Sequence, residues 1–313
     1  MIAAAPPLLS MTGIHKRFPG VYALRGIDLE LRHGEVLALV GENGAGKSTL
    51  IKTLGGAHQP NEGQIAIEGD VVDIDSPLSS QTAGIGIIYQ EFNLVPHLTV
   101  RENIFLGRER HKGGIIDKAE EDKRSRDLLA KIGVTIDPAT PCGELSTAEQ
   151  QVVEIAKALA TDVRILVMDE PSAALTPVEV AGLFRIVRDL QSHGIAIVYI
   201  SHRLDEIFEI ADRVMVLRDG QHIGTRPISK MDRKTMIEMM VGRSVDKEFP
   251  KEHHQPGPVR LEAKGLCAKN VNNVSFSVRA GEVLGFTGLV GAGRTETMRL
   301  LFGADKRDAG TIL

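Results

Sequence analysis

Cysteine is scarce in this sequence: 313 residues contain two, Cys142 and Cys267. They form no CxxC pair and no Cys/His cluster, which excludes a disulfide framework and a thiolate zinc site, so both are expected as reduced thiols. An excess of basic charge is also lacking. Lys and Arg number 37 against 41 Asp and Glu, for a formal charge of -4. That balance gives no global attraction for a phosphate backbone, so nucleic acid is not the expected partner. Long apolar runs are missing as well. The longest, "GIAIVYI" at 194–200, falls far short of the roughly 20 residues needed to cross a bilayer. The opening "MIAAAPPLLSM" has no basic n-region and contains two prolines, unlike a signal peptide. A cytosolic protein is expected, with any membrane link made through a partner. Hydrophobic residues at 42% and charged residues at 25% are ordinary for soluble folded proteins, and the length suits about two domains.

What is present is a duplication. "GEVLALVGENGAGKSTLIKTLGGAHQPNEG" from Gly34 aligns without a gap with "GEVLGFTGLVGAGRTETMRLLFGADKRDAG" from Gly281. The separation is far too long for a solenoid with repeats of roughly 20 to 50 residues. Two copies of one globular unit are therefore expected, at 1–245 and 259–313, the second an N-terminal fragment. "DKEFPKEHHQPGP" at 246–258 mixes charge, proline and glycine as linkers do.

Within the first copy, "VLALV" (36–40), "IGIIY" (85–89), "RILVMD" (164–169), "IAIVYI" (195–200) and "RVMVL" (213–217) are short Val- and Ile-rich runs, as buried strands are. Helical patterns such as "AEQQVVEIAKALA" and "EVAGLFRIVRDLQSHG" separate most of them. The expectation is an α/β unit on a mostly parallel sheet, with a helix-rich insertion at about 91–160.

Two stretches carry chemistry. "GENGAGKST", Gly41, Glu42, Asn43, Gly44, Ala45, Gly46, Lys47, Ser48 and Thr49, satisfies G-x-x-x-x-G-K-[ST] between an apolar strand and a helix. There Gly44 and Gly46 let backbone N–H groups turn onto a phosphate. Lys47 reaches the β and γ oxygens, and Ser48 supplies a hydroxyl to Mg2+. "ILVMDE" at 165–170 ends a buried strand in two carboxylates. Asp169 takes the role of Mg2+ partner and Glu170 that of polarising the attacking water.

"LSTAEQQVVEIAKALA" at 145–160, followed by "ILVMDEPSAAL", resembles the signature motif and Walker B segment of ABC transporter ATPases. The resemblance spans the first copy. It implies a P-loop NTPase with a RecA-like parallel core, a helical insertion and an antiparallel β part. It also implies ATP and Mg2+ as cofactors, Gln90 as the Q-loop glutamine and Mg2+ contact, His202 as the H-loop histidine on the γ-phosphate, and Phe18 as the aromatic stacked on adenine. Leu145, Ser146, Thr147, Ala148, Glu149 and Gln150 become the signature. They depart from the usual LSGGQ, and Glu149 is expected to relax the motif because a carboxylate near phosphate is costly unless paired or turned away. Thr176 likewise stands where the family has the D-loop aspartate.

The duplication, "EPSAALT" and the second copy's "GEVLGFTGLVGAGRTE" resemble the fused ATPase subunits of monosaccharide importers of the ribose, galactose and xylose type. That implies a peripheral subunit on the cytoplasmic face of the plasma membrane, membrane permease subunits as direct partners, a periplasmic sugar-binding protein as an indirect one, and pairing through ABC domains. The second loop, Gly288, Gly291, Gly293, Arg294 and Thr295, has arginine for lysine and Glu296 in place of Thr49, so it is expected to hold nucleotide without efficient hydrolysis. Alternatives from the same residues are a non-functional fragment of such a subunit, or a soluble tandem-ABC protein acting on ribosome or DNA.

Overall fold

Hydrophobic alternation sorts the first copy into two sheets. The computed structural model describes residues 6–243, 256–288 and 291–313, and the chain divides into two units, Met1–Glu248 and Phe249–Leu313. In the first unit, β1 (Leu9–Phe18), β2 (Val21–Leu31), β4 (Glu62–Ile67) and β5 (Asp70–Val72) form an antiparallel sheet in the order β2-β1-β4-β5. The Val- and Ile-rich runs become β3 (Val36–Val40), β6 (Ile85–Ile88), β9 (Ile165–Asp169), β10 (Ala196–Ile200) and β11 (Arg213–Arg218). These five pair in parallel in the order β11-β3-β10-β9-β6, and β12 (Gln221–Pro227) lies antiparallel on the β11 edge.

The parallel strands are apolar throughout because both faces are covered. On β3, Leu37 and Leu39 pack in a layer with Leu9, Ile14 and Ile27 of the antiparallel sheet and with Leu50, Ile51 and Leu54 of α1 (Lys47–Leu54). Val36, Ala38 and Val40 point the other way, into a core shared with α3 (Val100–Phe105), α5 (Thr147–Leu159), α6 (Pro177–Ser192) and α7 (Leu204–Ile210).

The insertion expected at 91–160 contains α3, a small hairpin of β7 (His111–Lys112) and β8 (Ile115–Ile116), α4 (Lys118–Lys131) and α5. It is thus less uniformly helical than its periodicity suggests. The remaining helices of this unit are α2 (Pro77–Thr82) and α8 (Arg233–Val241).

The second unit repeats the antiparallel part. β13 (Val259–Ala268), β14 (Val271–Arg279) and β15 (Ala309–Ile312) take the order β14-β13-β15, as β2-β1-β4 do, and α9 (Arg294–Phe302) corresponds to α1. A backbone crossing is repeated too. A Cβ on Gly63 would lie 2.4 Å from the Gly13 carbonyl oxygen, and one on Gly310 would lie 2.5 Å from that of Gly265; all four glycines have positive φ.

The repeat does not extend to every element. "VLGFT" at 283–287, the counterpart of β3, forms no strand, and Val283 is 97% exposed. The reason is that β3 is hydrogen-bonded between β10 and β11, and among the described residues of the second unit no such strands flank this segment. Of the expected linker 246–258, residues up to 255 lie outside those described; Gly257 N–H donates to the Ala280 carbonyl.

Candidate functional site

β3 delivers the chain into the loop Gly41–Gly46, and the loop opens α1. Only glycine fits at two of its positions. A Cβ on Gly41 would sit 2.3 Å from the Leu217 carbonyl oxygen; Gly46 has φ +106° and would press 2.9 Å against the Ala23 carbonyl oxygen. The loop is further braced by the β11–β12 turn, where Gly220 N–H donates to the Ala45 carbonyl and Arg25 N–H donates to that of Gly220. Lys47 Nζ donates to the carbonyls of Gly41 at 2.7 Å and Glu42 at 3.1 Å. α1 has no acidic residue in its first turn, so the positive end of its dipole is left for an anion.

The neighbouring strand β9 ends at Asp169 beside this loop. Burial holds the Lys47 ammonium below its ordinary pKa, opposed by the carboxylates of Glu170 and Asp169. Burial raises Asp169, as does the charge of Glu170, while Lys47 and Lys52 pull it back. Glu170 takes φ +51°, a left-handed conformation costly for a side chain of its type. Its N–H donates to the Ile200 carbonyl at the end of β10, and its Oε1 lies 3.2 Å from His202 Nδ1.

These groups line one cleft of about 610 Å³. Phe18, Gln90, Asn43 through Thr49, Asp169 and Glu170 all face it, and His202 joins through Glu170. The size is ordinary for a small-molecule site. Phe18 meets His58 edge to face with centroids 5.2 Å apart. Sequence reasoning missed six further lining residues, Val21, Tyr22, Ala23, Arg25, Asp219 and Gly220. The Asp-Gly pair of the β11–β12 hairpin, with positive φ at both residues, is the signal that marks that turn. A larger cleft of about 690 Å³ between α4, α5 and α6 is lined by apolar side chains such as Val152, Leu183 and Ile186. It offers no phosphate-binding backbone, so the loop cleft is the stronger site.

The segment Leu145–Gln150 does not line the loop cleft; it opens α5. Ser146 is the N-cap, accepting from Glu149 N–H at 3.3 Å. Its hydroxyl and its own N–H both donate to Glu149 Oε2, at 2.7 and 2.9 Å. Glu149, expected to trouble a phosphate contact, is thus paired in a reciprocal capping box. Thr176 repeats the arrangement at α6, its N–H and hydroxyl both donating to Glu179 Oε2 at 2.7 Å. Both departures from the family pattern begin helices.

In the second unit Gly293 has φ +82° and precedes α9, and a Cβ there would lie 2.9 Å from the Asn270 carbonyl oxygen. This matches Gly46 against Ala23. Arg294 and Thr295 are exposed at the helix start, Gly288 and Gly291 precede them, and Leu289 and Val290 lie outside the described residues.

Residues 24–173 match the protein family described as ABC transporter. The Ribose import ATP-binding protein RbsA 1 of Rubrobacter xylanophilus is 52% identical over 308 residues, 98% of this chain and 62% of that protein. The putative ribose/galactose/methyl galactoside import ATP-binding protein 1 of Burkholderia lata is 51% identical over 312 residues, 98% of this chain and 61% of its own length. The chain therefore spans less than two thirds of the curated relatives it matches. Among solved structures, the ADP conformation of MJ1267, an ATP-binding cassette of an ABC transporter, superposes with a TM-score of 0.67 at 27% identity, covering 76% of this chain and 99% of that one. The dimeric post-hydrolysis state of the cassette MJ0796 with ADP and Pi gives 0.61 at 26% identity, covering 70% and 98%.

Proposed function

We propose that the chain is an ATP-binding protein of the ABC transporter type, as its similarities support, and that its first unit binds and hydrolyses MgATP to energise import of a monosaccharide through a membrane permease. The observation that carries this is the convergence of Lys47, Ser48, Gln90, Asp169 and Glu170 on one cleft at the start of α1. In this reading the loop amides and Lys47 hold the phosphates, and Phe18 stacks on the base. Ser48, Gln90 and Asp169 would add oxygen donors to those of the phosphates around Mg2+, whose charge would offset that of the triphosphate. Water attacks the γ-phosphorus as the bond to ADP breaks, Glu170 takes the proton, and His202, 3.2 Å from Glu170, is assigned the contact with the γ-phosphate.

The same reading makes the chain a peripheral subunit on the cytoplasmic face of the plasma membrane. Permease subunits would supply the passage and a periplasmic binding protein the sugar, as the similarity to sugar-import ATP-binding proteins supports; no described helix is long and apolar enough to cross a bilayer. The second unit is the start of a second, degenerate ABC domain. In its loop Arg294 stands where the first loop has Lys47, so that loop would hold nucleotide without rapid turnover.

Equilibrium binding of MgATP tests the first site. Lys47→Ala is expected to weaken binding at least about tenfold, the equivalent of about 1.4 kcal/mol. Glu170→Gln should keep the affinity and lose turnover. Wild-type affinity in Lys47→Ala would remove the site assignment.

A further inference from the structure

A buried carboxylate outside the cleft joins the two segments that carry Glu170 and His202. Glu206 lies in the first turn of α7 and is 6% exposed. Its Oε2 accepts three hydroxyl hydrogen bonds, from Ser172 at 2.6 Å, Ser201 at 2.9 Å and Tyr199 at 3.0 Å. Its Oε1 accepts from Arg203 Nη1 at 3.3 Å, and the Arg203 N–H donates to Ser201 Oγ. Ser172 is two residues beyond Glu170 and is itself buried; Ser201 immediately precedes His202; Tyr199 is the largest fully buried side chain of β10.

We propose that Glu206 is a positioning residue that ties the Ser172 loop to the Ser201 turn and so sets the contact between Glu170 and His202. The proposal rests on the ATPase reading for its consequence but not for its geometry. His202 is exposed, with 65% of its side chain accessible, so little packing holds the ring in place. Glu170 has a left-handed backbone that relaxes unless its surroundings fix it. Two weakly held partners at 3.2 Å need a rigid common support, and one oxygen receiving hydroxyls from both segments provides it. The charge matters as well as the shape. A carboxylate accepts at both oxygens, whereas an amide accepts at one end and donates at the other, so glutamine in its place must turn its NH2 either toward the Arg203 guanidinium or toward the hydroxyls, and one side of the junction loses its acceptor.

The test uses the whole chain and two readouts. The ring NMR signals of His202, assigned with His202→Asn, should shift when Glu170→Gln is introduced. In Glu206→Gln and in Ser172→Ala that response should shrink by half or more, with Glu206→Asp retaining more of it than Glu206→Gln. MgATP turnover should fall about tenfold in Glu206→Gln, an effect of about 1.4 kcal/mol, at an unchanged Kd for MgATP. Ser172→Ala removes only one hydroxyl and keeps the question answerable if Glu206 variants do not fold. The proposal is overturned if the His202 response stays at its wild-type size in Ser172→Ala and in any folded Glu206 variant, or if turnover is undiminished. A wild-type chain that hydrolyses no ATP would refute the proposed function instead, and the His202 response would still decide the role of Glu206.

Discussion

Asp169 shows how the site is held at some cost to the fold. Its carboxyl is raised by burial and then by Glu170, so the folded chain binds a proton there more readily than the unfolded chain. The sign follows directly: this contribution to stability is complete below the ordinary carboxylate pKa and is lost as pH rises through the raised value. Asp169→Asn should therefore raise Tm at neutral pH by about 2–4 °C, the effect of about 1 kcal/mol in a domain of this size. The gain over wild type should shrink as the pH is lowered through the carboxylate range, and a pH series of thermal melts measures it. Much at this scale is legible in sequence, because Gly46, Lys47 and Ser48 act within a few bonds of one another. Glu206 is not. In "SHRLDE" it reads as one acid on a polar helix start, and only the fold brings Ser172, 34 residues away, onto its oxygen.

At the scale of elements, the departures at 147–149 and 176 become intelligible as helix starts. Ser-Thr-Ala-Glu and Thr-Pro-Val-Glu both have the spacing of a capping box, a pattern visible in the letters once helix boundaries are known. Ser146→Ala should cost about 1 kcal/mol, the usual range for losing an N-cap, whereas Glu149→Gln, which keeps an oxygen acceptor at the third helical position, should cost far less; thermal melts of the two variants give the comparison. α5 also grips the segment after Gln90: Glu154 accepts from Asn93 N–H at 2.7 Å, and Lys157 donates to the Asn93 carbonyl at 2.9 Å. This pairing was not legible because its partners stand 61 and 64 residues apart. The segment 283–287 teaches the converse. It aligns with β3 and keeps its Val-Leu opening, yet strand formation depends on flanking partners as much as on the run itself.

For the whole molecule, the two units differ sharply in how much apolar surface they bury. The first has two extended cores on either side of its parallel sheet; the second gathers Ala263, Leu266, Val271 and Leu300 as its fully buried cluster. Local opening follows such differences. Native-state hydrogen exchange should find the amides of β13, β14 and β15 exchanging well before those of β3, β9 and β10, and equal protection would contradict this account of the cores. The duplication behind the two units was legible from the aligned loops, while the missing strand at 283–287 was not. The glycine crossings, Gly13 under Gly63 and Gly265 under Gly310, record the shared origin in another way. The two partners of a crossing are constrained differently: a side chain on Gly63 or Gly310 would run into the backbone beneath it, whereas Gly13 and Gly265 have room for a Cβ and are restricted by their positive φ instead.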